Sequence, residues 1–140
     1  MSPKKYRART GDIARAVARH TIAKEYFQLA DREAAADRPF AHNAAAGNAV
    51  LAAIAASDAI CCVRLQLYST GEDHIAAVDL LKKAQPEGPE AARALARVLS
   101  VKDQVHYSGD PLSATRMQGV LRCARRLVEI AGEVLTQAQR

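Results

Sequence analysis

Residues 112–135, LSATRMQGVLRCARRLVEIAGEVL, carry the clearest periodic signal in the chain. Met117, Val120, Leu121, Ala124, Leu127, Val128, Ala131, Val134 and Leu135 return at steps of three and four, which puts them on one face of a helix. Ser113 stands ahead of this run as an N-cap. Leu112 and Met117 flank it at the spacing of a hydrophobic staple, after a Gly109-Asp110-Pro111 turn. A stripe sustained for nearly three heptads fits shallow-angle packing in an up-down helical bundle. Its other face holds Arg116, Arg122, Arg125 and Arg126. Glu129 lies at i,i+4 from Arg125 and i,i+3 from Arg126, so ion pairs on a solvated face are expected beside any anion-binding role.

The rest of the chain agrees with a helical reading. Of its 140 residues 49% are hydrophobic, mostly Ala and Leu, and only 4% are aromatic with no Trp, which favours packed helices over a β-sandwich. That composition excludes a wholly disordered chain, a collagen-like repeat and a disulfide-stapled miniprotein. Asp12 is a candidate N-cap for a first helix to about residue 36, with Ile13, Ala16 or Val17, Ile22 or Ala23, Phe27 and Ala30 as loosely periodic apolar positions. A second helix is expected from about Pro39 to Ser69, stopped by Thr70-Gly71. Its seam of Val50, Ile54, Cys61, Leu65 and Tyr68 is interrupted by Ser57 and Asp58, which need polar partners. For Asp58 the candidates are a polar group on the fourth helix, Arg64 or an N-terminal basic residue. A third helix follows Asp73, with Ile75, Val78 and Leu80 or Leu81 inward, up to the linker at 86–89. The fourth spans about Pro89 to Tyr107. The expected fold is all-α, an antiparallel up-down bundle of four to five helices forming a single domain at 12–140 behind a basic tail at 1–11.

Charge is unevenly placed. Residues 1–20 contain Lys4, Lys5, Arg7, Arg9, Arg15 and Arg19 against Asp12, whereas the remainder holds fourteen basic and fourteen acidic side chains. The leading segment either contacts phosphates or an anionic surface, or is a solubilising terminus. No stretch is expected to reach the roughly 18 to 20 apolar residues of a membrane span, and the run from Ala44 to Ile60 is broken by Asn48, Ser57 and Asp58. The first twenty residues lack the apolar core of a signal peptide. Cys61, Cys62 and Cys123 have no metal-ligand spacing and read as reduced core thiols of a cytoplasmic protein.

The chemistry worth following lies in LSVKDQVHY, residues 99–107. Ala94, Val98, Val101 and Val105 form one stripe, and Leu95, Leu99, Lys102 and His106 run beside it, so Lys102 and His106 continue the edge of an apolar face one turn apart. Two readings are open. An ammonium and an imidazole so placed bind a phosphate, with His106 carrying a proton near neutral pH and Lys102 clamping charge. Alternatively, Lys102 snorkels and His106 caps the last helical carbonyls or bonds a neighbouring helix. There is no phosphate-cradling Gly-rich loop, HExxH, CxxC or nucleophile elbow, and His20, His42 and His74 form no metal triad with a nearby carboxylate, so neither metal nor cofactor is expected.

A long Ala-rich helix (AAIAASDAICCVRLQLY, 52–68), a loop ending in GEDH (71–74) before AAVDLL, the segment VKDQVHYSGDPLS (101–113) and an Arg-rich closing helix together resemble the HEPN domain over about residues 40–136. The resemblance implies an antiparallel helical bundle that commonly forms a homodimer. Many members are metal-independent endoribonucleases of toxin-antitoxin, CRISPR-associated or phage-defence systems, and others are non-catalytic partners of nucleotidyltransferases. The family signature is an Arg, often followed by a polar residue, with a His four to six residues on. Lys102-Asp103 takes the place of the Arg-polar pair, His106 that of the His, and Tyr107 follows it; Lys stands for Arg, and three residues intervene. The implied reaction is attack of an RNA 2′-hydroxyl on its own phosphate, assisted by His106, with Lys102 stabilising charge. Lys lacks the planar bidentate fork that Arg gives a phosphate. Three readings stand: an RNA or nucleotide binder with a degenerate ribonuclease site at Lys102, Asp103, His106 and Tyr107; a non-catalytic interaction module acting with an antitoxin or nucleotidyltransferase; and a self-associating structural bundle.

Overall fold

Asp12 starts the first helix, its carboxylate accepting the Arg15 backbone N–H at 2.8 Å. In the computed structural model, which describes residues 8–71 and 73–140, the elements in chain order are β1 (Ala8–Thr10), α1 (Ile13–Ala34), α2 (Ala41–Leu65), β2 (Leu67–Ser69), α3 (His74–Lys82), α4 (Gly88–Leu99), a turn of π-helix (Gln104–Ser108) and α5 (Ala114–Ala138). Lys4, Lys5 and Arg7 of the expected tail lie outside the described residues. The fold is an all-α bundle of five helices with one small two-stranded sheet among the described residues.

At the centre, α2 packs chiefly on α1 and α5, and α4 lies against α3 and α5. Small side chains make the close α1–α2 contact. Ala16, Ala23 and Ala30, one heptad apart, are fully buried, whereas the larger alternatives Val17 and Ile22 stay exposed, as does Ile13, against expectation. On α2, Ala45, Ala49, Ala52, Ala56 and Ala59 are buried in the same way. The long apolar side chains come from α5, where Met117, Val120, Leu121, Leu127, Val134 and Leu135 are buried as the period requires, while Val128 is only half-buried and Ile130, outside the expected stripe, is fully buried. Each full burial of a Leu, Ile, Val or Met side chain contributes about 1.5–3 kcal/mol. Ser113 caps α5 by accepting the Arg116 N–H at 3.1 Å, and the staple residues Leu112 and Met117 are both buried.

The second helix is shorter than its sequence suggests. Gln66 takes a left-handed conformation (φ 54°), its N–H bonds to the Cys62 carbonyl at 3.2 Å, and α2 ends at Leu65 instead of Ser69. Leu67–Ser69 then forms a strand antiparallel to Ala8–Thr10, with Arg9 opposite Tyr68. Residues 8–10, expected in the basic tail, are thereby tied to the body. Gly11 makes this approach possible, because a Cβ there would run into Cys62 Sγ. Tyr68 reaches the core from the strand, and the Arg15 guanidinium lies over its ring at 3.9 Å from the centroid.

Three further expectations are corrected. Ile75 is 76% exposed, although α3 buries both Leu80 and Leu81 as expected of that position. The fourth helix ends at Leu99, where the Ser100 hydroxyl donates to the Arg97 carbonyl at 2.6 Å and competes with the helical ladder. After the break the chain makes its π turn, which Gly109 (φ 74°) terminates. By length and composition α2 is apolar enough to cross a membrane, contrary to the sequence expectation, because its many alanines outweigh its few polar residues; most of its apolar stretch is buried inside the bundle.

Candidate binding site

The polar residues that interrupt the α2 seam border a cavity of about 170 Å³ between α2, α3 and α4. Ser57, Asp58, Cys61, Ser69, His74 and Lys102 contribute its polar or ionisable side chains, and Ile54, Ala77, Leu95 and Leu99 its apolar walls. Ser57 is satisfied within its own helix, donating to the Ala53 carbonyl at 2.8 Å. Asp58 is held by Arg19 of α1, whose Nε and Nη2 lie 3.2 and 3.0 Å from Oδ2. The structure therefore selects an N-terminal basic residue from the three expected partners. Arg64 goes elsewhere, forming a bidentate pair with Glu87 at 2.9 Å. Burial pushes the Asp58 carboxyl up to about 6, against the opposing pull of Arg19 and then Arg15. Burial, with Asp58 as a further cause, also pushes the Cys61 thiol up to about 12 and the Cys62 thiol up to about 11, so both stay protonated near neutral pH. All three cysteines are free thiols, Cys123 being only half-buried.

Lys102 enters the cavity from the chain just after α4. Its Nζ is 3.0 Å from Nε2 of His74, the first residue of α3. An ammonium has only donors, so His74 receives this bond on an unprotonated Nε2 and carries its own proton on Nδ1. The Asp73 carboxylate fixes that end of α3 by accepting the Ile75 and Ala76 N–H groups at 3.0 and 3.2 Å. Lys102 is half-buried and has no carboxylate in ion-pair range among the described residues.

The four residues singled out in the sequence are thus divided. Lys102 faces His74 in the cavity, Asp103 is exposed, and His106 and Tyr107 sit exposed on the π turn with ring centroids 6.2 Å apart. Along the expected edge, Leu95 and Leu99 are buried, Lys102 is half-buried and His106 is exposed, a progressive loss of phase that follows from the break at Ser100. Among the described residues no hydrogen bond joins Lys102 to His106. The α2 backbone passes close beneath the turn at Gly47, where an added Cβ would touch Val105 at 3.3 Å and His106 at 3.8 Å. His74 was missed as a site residue. Its only sequence signal was its place beside the capping Asp73, and 28 residues separate it from Lys102.

A second, more open groove of about 300 Å³ lies where the end of α4 meets the start of α5, lined by Arg97, Ser100, Arg116 and Val120 among others. The α5 arginines divide accordingly. Arg126 is paired with Glu90 at 2.8 Å and reaches Glu133 and Glu129, while Arg125 pairs with Asp31 at 3.4 Å and lies over Phe27, not on Glu129. Arg97, Arg116 and Arg122 have no ion pair among the described residues. No group of three metal-ligating side chains occurs among those residues. The chain matches no protein-family model and no curated protein.

Proposed function

We propose that the chain is a HEPN-like RNA- or nucleotide-binding module whose ribonuclease chemistry is weakened. The carrying observation is the division of the expected catalytic set: Lys102 is engaged by His74, whereas His106 and Tyr107 are exposed together on the turn between the helices that present Arg97 and Arg116. Exposed rings offer faces to unstacked bases, and unpaired guanidinium groups offer charge to phosphates, a combination suited to single-stranded RNA. Cleavage would need charge stabilisation beside His106, and the nearest candidate in sequence, Lys102, donates its hydrogen bond elsewhere. In this proposal the helices run up and down as in HEPN domains, the protein works in the cytoplasm as a homodimer, and no cofactor takes part.

A labelled single-stranded RNA of twelve nucleotides, titrated in chelator and followed by anisotropy and by gel, tests the reading. Base stacking on an aromatic ring is worth about 1–3 kcal/mol. Replacing His106 and Tyr107 together by Ala is therefore expected to weaken binding about tenfold or more, with thermal unfolding nearly unchanged. Affinity should fall with salt, and the log–log slope should shrink when Arg97 and Arg116 are replaced by Gln. Intact RNA at the end of the incubation is the expected result. Shortened products lost in His106→Ala would instead establish a metal-independent nuclease.

The balance of fourteen basic and fourteen acidic side chains beyond residue 20 favours a second reading, a non-catalytic module docked on an antitoxin or nucleotidyltransferase. Absence of RNA binding at low salt would move the assignment there.

A further inference from the structure

We infer that the cavity between α2, α3 and α4 is a binding site for a small organic monocarboxylate, with the carboxylate on Lys102 Nζ and an apolar body against Ile54, Leu95 and Leu99. The inference rests on other residues than the RNA-binding surface and does not depend on that reading.

Charge decides the sign of the ligand. Of the two charged groups lining the cavity, Asp58 already has its counter-ion in Arg19, at 3.0 Å. Lys102 has a neutral partner, the Nε2 of His74, and no carboxylate in range among the described residues. Among the described residues the half-buried Lys102 ammonium meets only the His74 imidazole, so it retains donors and a charge that an anion would balance. One excess positive charge suits a monoanion. A phosphate dianion would bring a second negative charge beside the Asp58 carboxylate, and the described lining holds no second cation to meet it.

Size and lining decide the rest of the ligand. A cavity of about 170 Å³ takes roughly six to ten non-hydrogen atoms, since one of about 150 Å³ holds benzene. Leu95 and Leu99 are buried, and with Ile54 and Ala77 they supply a wall with no hydrogen-bonding groups of their own. Small-molecule sites commonly combine such a wall with one or two placed polar groups.

Benzoate is the probe. Calorimetric titration of the full chain with benzoate, benzyl alcohol and inorganic phosphate separates shape from charge. One saturable site for benzoate is expected, with benzyl alcohol and phosphate each at least tenfold weaker. Lys102→Met should weaken benzoate at least tenfold by removing the charge, and Ala77→Leu should do so by filling the space, with melting temperatures confirming that both variants fold. Failure of the native protein to bind benzoate overturns the inference, as does equal affinity for either of the other two probes, both readable without any variant. Undiminished benzoate binding by a folded Lys102→Met or Ala77→Leu protein also overturns it. The RNA titration is read separately, so loss of RNA binding with benzoate binding intact would fault the functional assignment alone.

Discussion

Asp58→Asn is expected to make the protein lose less stability than the native chain as pH rises from 4 to 7, by roughly 2.5 kcal/mol across that interval. The carboxyl lies at about 6 in the folded chain against an ordinary value of 3.8. A raised value means that the folded state holds the proton more tightly than the unfolded one. The associated stability is complete below the unfolded value and is lost as pH climbs through the folded one. The interval between the two values corresponds to about 3 kcal/mol. Only 15% of the Asp58 side chain is exposed, so solvent screening reduces this figure little. Asn keeps an oxygen for Arg19 but cannot ionise, and urea unfolding of both proteins at pH 4, 5, 6 and 7 reads the difference directly. Parallel curves would show that burial does not raise this carboxyl. The partner variant has the opposite dependence. Arg19→Met removes the cation from a buried carboxylate and should cost about 2–4 kcal/mol at pH 7. At pH 4, with Asp58 protonated, the cost should be much smaller.

That Asp58 needed a partner was legible in the sequence, because a carboxylate on an apolar seam must be compensated; which of three candidates supplied it was not. Arg19 is 39 residues away on another helix, a choice fixed by how α1 lies on α2. Local signals served well where chemistry within one turn decides the outcome. Asp12, Asp73 and Ser113 all cap helices as their positions predict. The α5 stripe is buried along the helix except at Val128, which is half-buried while Ile130 takes the inward place, because one period runs through it. The misreadings fall where the backbone departs from a regular element without the usual residue to mark it. Gln66 ends α2 in a left-handed conformation that glycine ordinarily signals. The two strands have three residues each, too few to display an alternating pattern. The fourth helix ends at Leu99, beside a Ser100 hydroxyl bond to the Arg97 carbonyl of a kind tolerated in many helices, and beyond this end Lys102 faces His74 while His106 lies exposed. The candidate site was legible only in its local part: Lys102 and His106 are singled out by their spacing, whereas the contact of Lys102 with His74, 28 residues away, depends on how α3 lies against the end of α4.

Asn43→Ala is expected to destabilise the protein by about 2–4 kcal/mol and to weaken RNA binding in the fraction that remains folded. Asn43 is buried near the start of α2, where its side-chain amide donates to the Asp110 carbonyl at 2.9 Å and its oxygen accepts the Leu112 N–H at 2.9 Å. These bonds grip the segment that leaves the π turn, and the neighbouring His42 adds a third by donating from Nδ1 to the Leu112 carbonyl at 3.1 Å. Truncation to Ala removes two partners at once. An unmatched buried donor or acceptor costs about 1–3 kcal/mol, and the Leu112 N–H has little access to water in compensation. The loss reaches function through the chain itself. Leu112 anchors the staple that starts α5, and the residues just before it lead back through Gly109 to His106 and Tyr107, so freeing this segment releases the exposed ring pair from its fixed position. Asn43→Asp separates the two bonds. It retains an acceptor for the Leu112 N–H but brings a carboxylate against the Asp110 carbonyl, and should be destabilising at neutral pH and less so in acid, where a protonated carboxyl can again donate. Urea unfolding gives the stability of each variant, and RNA titration at a temperature where each is folded gives the binding. Unchanged affinity in a folded but destabilised Asn43→Ala protein would show that the π turn holds its shape without the clamp.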